Sequence, residues 1–320
     1  MTHLIVENKE FYLMAGHLIE CVPNFSEGRR NDVIEAIVAP FRGQKGCYLL
    51  DHRADPDHNR LVVSVVGQAE PIQEALLAAS LVAVEKIDLN THRGAHPRIG
   101  AIDVIPFIPL RNISMEECIR LAHSFGGRFQ QATGVPVYFY EEAAIRPQRR
   151  ALEVIRRGQY ESLRQEVTQP DRHPDIGDPR LHPSAGAAII GARKFLIAFN
   201  VNLATANLEV AKQIAKAIRS SSGGLGSVKG IGLALEGRGM VQVSMNVVDY
   251  EKNALYRIVE FIRMEAKRWG VTIAETEVYG MVPAAALLDS ISYYMQTDRF
   301  DSRQVIELAM LEQLNNEEKE

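Results

Sequence analysis

The chain has 320 residues, 46% of them hydrophobic and 24% charged, enough to build two cores or one divided core. Its net charge of −4 supplies no basic field for a phosphate backbone, which argues against nucleic-acid binding, so any anionic ligand needs a local basic pocket. No apolar run reaches the ~20 residues of a membrane span, and Glu7, Lys9 and Glu10 interrupt the stretch where an export signal needs an apolar centre.

In chain order, residues 1–16 read as an N-terminal extension and "HLIECVP" as a short strand. "NFSEGR" follows as a loop, and Asn31 is placed to cap a helix with Val33, Ile34, Ile37, Val38 and Phe41 on its apolar face. "GCYLLD" and "LVVSVVG" are strands joined through the turn chemistry of "DHRADPDHNR". A helix from about Pro71 to Ile87 and the strand "AIDVIPFIP" complete the set. Strand, helix, strand, strand, helix, strand is the ferredoxin-like βαββαβ order, which leaves one sheet face bare.

That order returns later in the chain. "KFLIAFNVN" is a strand, Leu208 to Ile218 a helix, "VKGIGLAL" and "MVQVSMNVV" a strand pair about Gly237 to Gly239, Ala254 to Trp269 a helix and "VTIAETEVYG" the closing strand. The first strand region of each half carries an asparagine, Asn24 and Asn202, before its helix, so the halves read as duplicated. The expected fold class is therefore α+β: two related ferredoxin-like (βαββαβ) subdomains, residues 17–193 and 194–320, with their sheets packed face to face around a ligand-binding seam.

Between the repeats lie a helix with the capping box Ser114 and Glu117, the strand "VPVYFY" and short helices around Leu152 and Tyr160. "QPDRHPDIGDPRLHPSAGA" then combines prolines and glycines that exclude helix or central strand. Composition leaves it open as a linker or a functional loop. The three cysteines, Cys21, Cys47 and Cys118, lack metal-type spacing and read as small buried hydrophobes in a reducing, cytoplasmic setting.

The densest cluster of polar and backbone-special residues is "THRGAHPRIG" at 91–100. His92 and His96 would share a helix face, but Gly94 and Pro97 oppose a helix, and no glutamate follows His92 as a zinc-protease motif requires. His96 titrates near neutrality and suits general acid–base chemistry. Composition alone favours a structural, loop-capping imidazole, because most histidines do no chemistry. Arg60, Arg93, Arg98, Arg193 and Lys194 near strand ends could form a pocket for carboxylates. Neither "SSSGGLGSVKG" nor any Gly-x-Ser-x-Gly elbow offers a phosphate cradle or a serine nucleophile.

"ECVPNFSEGR", "DPDHNR", "HRGAHPRIGAIDVIPFIP", "VPVYFY" and "GARKFLIAFNVNL" together resemble the formiminotransferase family, in order, from about His17 to about Asp289. The resemblance implies two similar α/β subdomains enclosing a folate site, a homodimer, and transfer of a formimino group from N-formimino-L-glutamate to N5 of tetrahydrofolate. It places the family's catalytic histidine on His96, within Gly-x-His-Pro-Arg. It places the folate-contacting loop on Gly177, Asp178, Pro179, Arg180, Leu181, His182, Pro183, Ser184, Ala185 and Gly186. Other members can carry a tryptophan where this chain has Ala185, which implies loss of a ring-stacking contact worth about 1 kcal/mol.

Asn24, Arg60, Arg98 and Asn202 are further candidates for contact with substrate, with no metal and no membrane or nucleic-acid partner. A chain ending at Glu320 leaves no room for the cyclodeaminase domain of animal members, so a separate protein is expected to process the product. The competing readings are formyl transfer between 5-formyltetrahydrofolate and glutamate on the same fold, a metal-dependent amidohydrolase built on His92 and His96, and a non-catalytic folate-binding module.

Overall fold

Valines, isoleucines and phenylalanines spaced for strands and amphipathic helices build two sheets. The computed structural model describes residues 16–235, 237–298 and 300–317, and divides at Arg193/Lys194 into two units. In the first unit the elements are β1 (Leu18–Cys21), β2 (Asn24–Phe25), α1 (Asn31–Val38), β3 (Cys47–Asp55), β4 (Arg60–Gly67), α2 (Ala69–Lys86) and β5 (Ile102–Arg111). They continue with α3 (Met115–Thr133), β6 (Val137–Glu141), α4 (Leu152–Ile155), α5 (Gln159–Glu166) and β7 (Ala188–Ala192).

β3, β4, β1 and β5 lie side by side and antiparallel, with β2 continuing β1 between β4 and β5. This is the arrangement a βαββαβ chain reaches when both helices cross one face. β7 and then β6 extend the sheet beyond β5 in parallel. α1, α2 and α3 cover one face through Val33, Ile37, Leu76, Ala79, Cys118 and Phe125. Ile155 and Leu163, from α4 and α5, cover Val104, Tyr138, Tyr140 and Ile189 on the other. The bare face expected for the first sheet is thus partly closed by its own insert.

Three local expectations change. Arg30, not Asn31, is the N-cap of α1 and makes no side-chain cap bond. The buried Glu27 does that work, accepting the N–H groups of Arg29 and Arg30 at 2.9 and 3.0 Å and placing negative charge at the helix start. Burial pushes the Glu27 carboxyl up, but those N–H groups and the Arg30 guanidinium outweigh it and hold it below its ordinary range. β7 was not anticipated, because all five of its residues are buried and a strand covered on both faces shows no alternation. β3 also runs on to Asp55, shortening the expected turn to 56–59.

The second unit comprises β8 (Ile197–Leu203), α6 (Leu208–Ile218), β9 (Val228–Leu235), β10 (Met240–Val247), α7 (Leu255–Arg268) and β11 (Ile273–Tyr279), then the unanticipated α8 (Ala284–Met295) and α9 (Ile306–Glu317). Its antiparallel sheet has the order β11-β8-β10-β9, again the βαββαβ arrangement. Phe199, Val201, Val243 and Met245 pack beneath Ile214 of α6 and Ile258 and Ile262 of α7. Gly232 lets α6 approach β9, since a Cβ there would stand 2.5 Å from the Lys212 nitrogen.

Both units mix helices with a sheet, so the chain is α+β. Cys21, Cys47 and Cys118 are free and buried, and burial pushes the Cys47 and Cys118 thiols up to about 11 and about 12, as expected of packing residues. No helix among the described residues is long and apolar enough to cross a membrane.

Candidate active site

Residues 91–99 form neither helix nor strand. They make an irregular turn between α2 and β5, held from the tip of the β3–β4 hairpin. Asn59 is the pivot: it is buried and adopts a φ of 50°, which asparagine tolerates better than most residues. Its Oδ1 accepts the Gly28 N–H at 2.9 Å and its Nδ2 donates to the Arg93 carbonyl at 3.0 Å. Its own carbonyl accepts the His92 Nε2–H at 3.0 Å. Gly94 packs so tightly that a Cβ would lie 2.2 Å from the His58 carbonyl oxygen, so the turn requires glycine there.

His92 is a bracket. Its Nδ1 accepts the Arg98 Nε–H at 3.1 Å, so both ring nitrogens are used within the fold. That role does not suit a metal ligand paired with His96, and among the described residues no group of three or more His, Cys, Asp or Glu is placed to hold a metal. Arg98, one of the arginines expected to grip substrate, is buried and bonded to both Glu161 oxygens at 2.9 and 2.8 Å and to Gln159 at 3.2 Å. Its guanidinium ties the turn to α5 and is committed to that task.

His96 stands in a cationic setting. An Nη1–H of Arg60 points at its Nδ1 across 3.5 Å, which leaves the ring proton on Nε2, and Nε2 is buried without a hydrogen-bond partner. Burial first, then the charges of Arg60, Arg156, His58 and His92, push its pKa down to about 2. The imidazole is therefore neutral at physiological pH, and neutralising an arginine beside it would restore basicity. Replacing Arg60 by glutamine should raise the His96 pKa, read from the pH dependence of its ring chemical shifts. An unmoved titration would show that Arg60 does not control the ring.

Arg156 also acts here, and sequence reasoning missed it. It pairs with the buried Asp103, whose other oxygen accepts the Ile99 N–H at 2.8 Å. Its Nε is buried without a partner. His58 was likewise not singled out: its ring lies 6.4 Å from that of His96, edge on, and its Nδ1 is 2.8 Å from the Asp55 carboxylate. No periodic pattern links 58, 96 and 156, so only the fold reveals the group. Asn24 is the β4 partner of Val62 and therefore shares a sheet face with Arg60, and its Nδ2 donates to the Val22 carbonyl at 2.8 Å.

The segment 177–186 is no free linker. Leu89 N–H donates to the Ser184 carbonyl at 2.8 Å, Ala101 N–H to the Ala185 carbonyl at 2.9 Å, Ala187 N–H to the Ile99 carbonyl at 3.0 Å, and Asn90 Nδ2 to the Pro183 carbonyl at 2.9 Å. Gly100 and Gly186 pair directly. A Cβ on Gly100 would stand 2.0 Å from the Ala187 oxygen. The histidine turn and this loop are thus sewn together along the backbone. Gly177, Asp178, Pro179, Arg180 and Pro183 are exposed, while Leu181, His182 and Ser184 are half-buried. Ala185 is fully buried in the core.

In the second unit, Asn202 is buried in β8, donating to Glu275 and Glu277 at 2.9 and 3.1 Å and accepting from Gln242 at 2.9 Å. Lys194 is bonded to Asp249 and Glu251, each at 3.0 Å.

Residues 18–193 match the family described as "Formiminotransferase domain, N-terminal subdomain", and residues 198–316 that described as "Formiminotransferase domain". The chain is 44% identical to the glutamate formimidoyltransferase of Streptococcus pyogenes over 92% of its own length and 99% of that protein's. It is 46% identical to the one from Thermoplasma acidophilum over 94% of its length and 99% of the relative's. The formimidoyltransferase-cyclodeaminase of Mus musculus is 44% identical over 88% of this chain, which spans 53% of that longer protein.

Proposed function

The chain belongs to the formiminotransferase family, and from that membership we propose that it transfers the formimino group of N-formimino-L-glutamate to N5 of tetrahydrofolate, with His96 moving the proton. The observation that carries the role of His96 is its setting: a half-buried imidazole, neutral at working pH, with a buried, unpartnered Nε2 and two arginines close enough to depress it.

The donor is an amidinium, already electrophilic. N5 is a secondary amine that must shed a proton as it attacks, and the glutamate nitrogen must gain one to leave. One group that takes the first proton and returns it to the second nitrogen serves both steps. A carboxylate of the incoming substrate would draw Arg60 away from Nδ1 and neutralise part of the charge that holds the ring neutral, so binding would raise its basicity when a base is needed. Arg156, anchored by Asp103, is a second cation for such a carboxylate. Orientation of both reactants in one site supplies much of the remaining acceleration.

The reading extends to a folate contact along 177–186, to substrate contact by Asn24, Arg60 and Asn202, to a homodimer, and to a cytoplasmic place in histidine breakdown and one-carbon metabolism. Steady-state assays of the purified chain test it. Formiminoglutamate with tetrahydrofolate should support turnover, whereas 5-formyltetrahydrofolate with glutamate should support at most a few per cent of that rate. The reverse preference would make the protein a formyltransferase on the same scaffold.

A further inference from the structure

We infer that His58, held by Asp55, is a proton relay between solvent and His96. The inference rests on the formimino-transfer reading. In that reaction the bond from the formimino carbon to N5 forms and the bond to the glutamate nitrogen breaks. The N5 proton, carried by His96, lets glutamate depart as a neutral amine, and amidinium charge is conserved between donor and product. At neutral pH the freed amine then binds one further proton from solvent to become an ammonium. Until it does, it remains the nucleophile of the reverse reaction, so delivering that proton inside the site makes the forward transfer one-way.

His96 is poorly placed to fetch it, because its Nε2 is sealed from water and its Nδ1 faces the Arg60 guanidinium. The side chain of His58 is 52% exposed, and its ring stands edge-on to His96 at 6.4 Å between centroids, a gap one water molecule can span. Asp55 fixes the His58 Nδ1 at 2.8 Å, which orients the ring towards His96. The charged groups around His58 are Asp55 and Asp57 on its own hairpin, Arg60 on β4, Arg29, which bonds the Pro56 carbonyl, and His96. Once a substrate carboxylate has drawn Arg60 aside, the proton passes from solvent to His58, through a bridging water to Nδ1 of His96, and on to the glutamate amine. His58 acts through His96 and does not touch substrate.

The packing of the turn uses the backbone of His58, through its carbonyl against Gly94, so His58→Gln should leave the fold intact. The experiment compares the full-length wild type, His58→Gln and Asp55→Asn in formiminoglutamate–tetrahydrofolate turnover. The expected result for His58→Gln is a kcat lower by about tenfold, a fraction of the usual general acid–base factor. KM for formiminoglutamate should be unchanged, the solvent deuterium effect larger, and activity restored by added imidazole in proportion to its concentration. Asp55→Asn keeps an acceptor for the turn's N–H groups and should show a smaller loss of the same kind. An unchanged kcat in His58→Gln, or a loss that imidazole does not restore, overturns the relay while leaving the transferase reading in place. A wild type that transfers no formimino group removes both.

Discussion

Replacing His96 by alanine is expected to cut turnover by about two to four orders of magnitude while leaving binding of tetrahydrofolate largely intact, as measured by single-turnover kinetics and by ligand-induced quenching of protein fluorescence. Nothing in the fold leans on the ring: its Nε2 has no partner, and its one polar contact is the long approach of Arg60. Stability should therefore not fall with activity. It should instead become less sensitive to acid. In the folded chain His96 titrates at about 2, far below the ~6.5 of an unfolded histidine, so between those values the unfolded chain binds an extra proton. The wild type thus loses stability as pH falls below about 6.5 and is unaffected above it. The alanine variant lacks that penalty, and urea midpoints at pH 7 and pH 5 should lie closer together than in the wild type. A variant with near-normal turnover would remove His96 from the chemistry.

The largest expected loss of stability comes from Asn59→Ala. The side chain satisfies the buried Gly28 N–H and also donates to the Arg93 carbonyl, and leaving the buried N–H unpaired costs about 1–3 kcal/mol. A φ of 50° is a further strain for alanine. Together these come to about 2–6 kcal/mol, measurable by urea denaturation. Because the bonds that break hold the turn bearing His96, the fraction that remains folded should also turn over more slowly. Asn59→Asp, which keeps the acceptor for Gly28, should recover part of the stability. A stable, fully active alanine variant would show that the turn is held elsewhere.

How much of this was legible in the sequence follows from the range of the forces involved. α6 was readable residue for residue, because Val210, Ala211, Ile214, Ala215 and Ile218 all face the core at helical spacing. The cap of α3 was readable because Ser114 and Glu117 satisfy each other three residues apart. β7 was not, since it is held between β5 and β6 and both of its faces are covered by helices from other stretches of the chain. At the site, His96 stood out through family resemblance and its unusual neighbours, and Arg60 through its charge. The fate of Arg98 was hidden because Glu161 lies on another element. Arg156 and His58 were hidden for the same reason, since each reaches His96 only through space.

The stitching of 177–186 onto the histidine turn has an evolutionary corollary. Both feet of that loop are fastened by main-chain bonds at Ser184, Ala185 and Ala187 on one side and by the Val137–Ile176 pairing on the other. Insertions and deletions are therefore tolerable only near the exposed apex around Asp178 and Arg180. Descendants of this scaffold can therefore remodel the apex without disturbing the turn that carries His96.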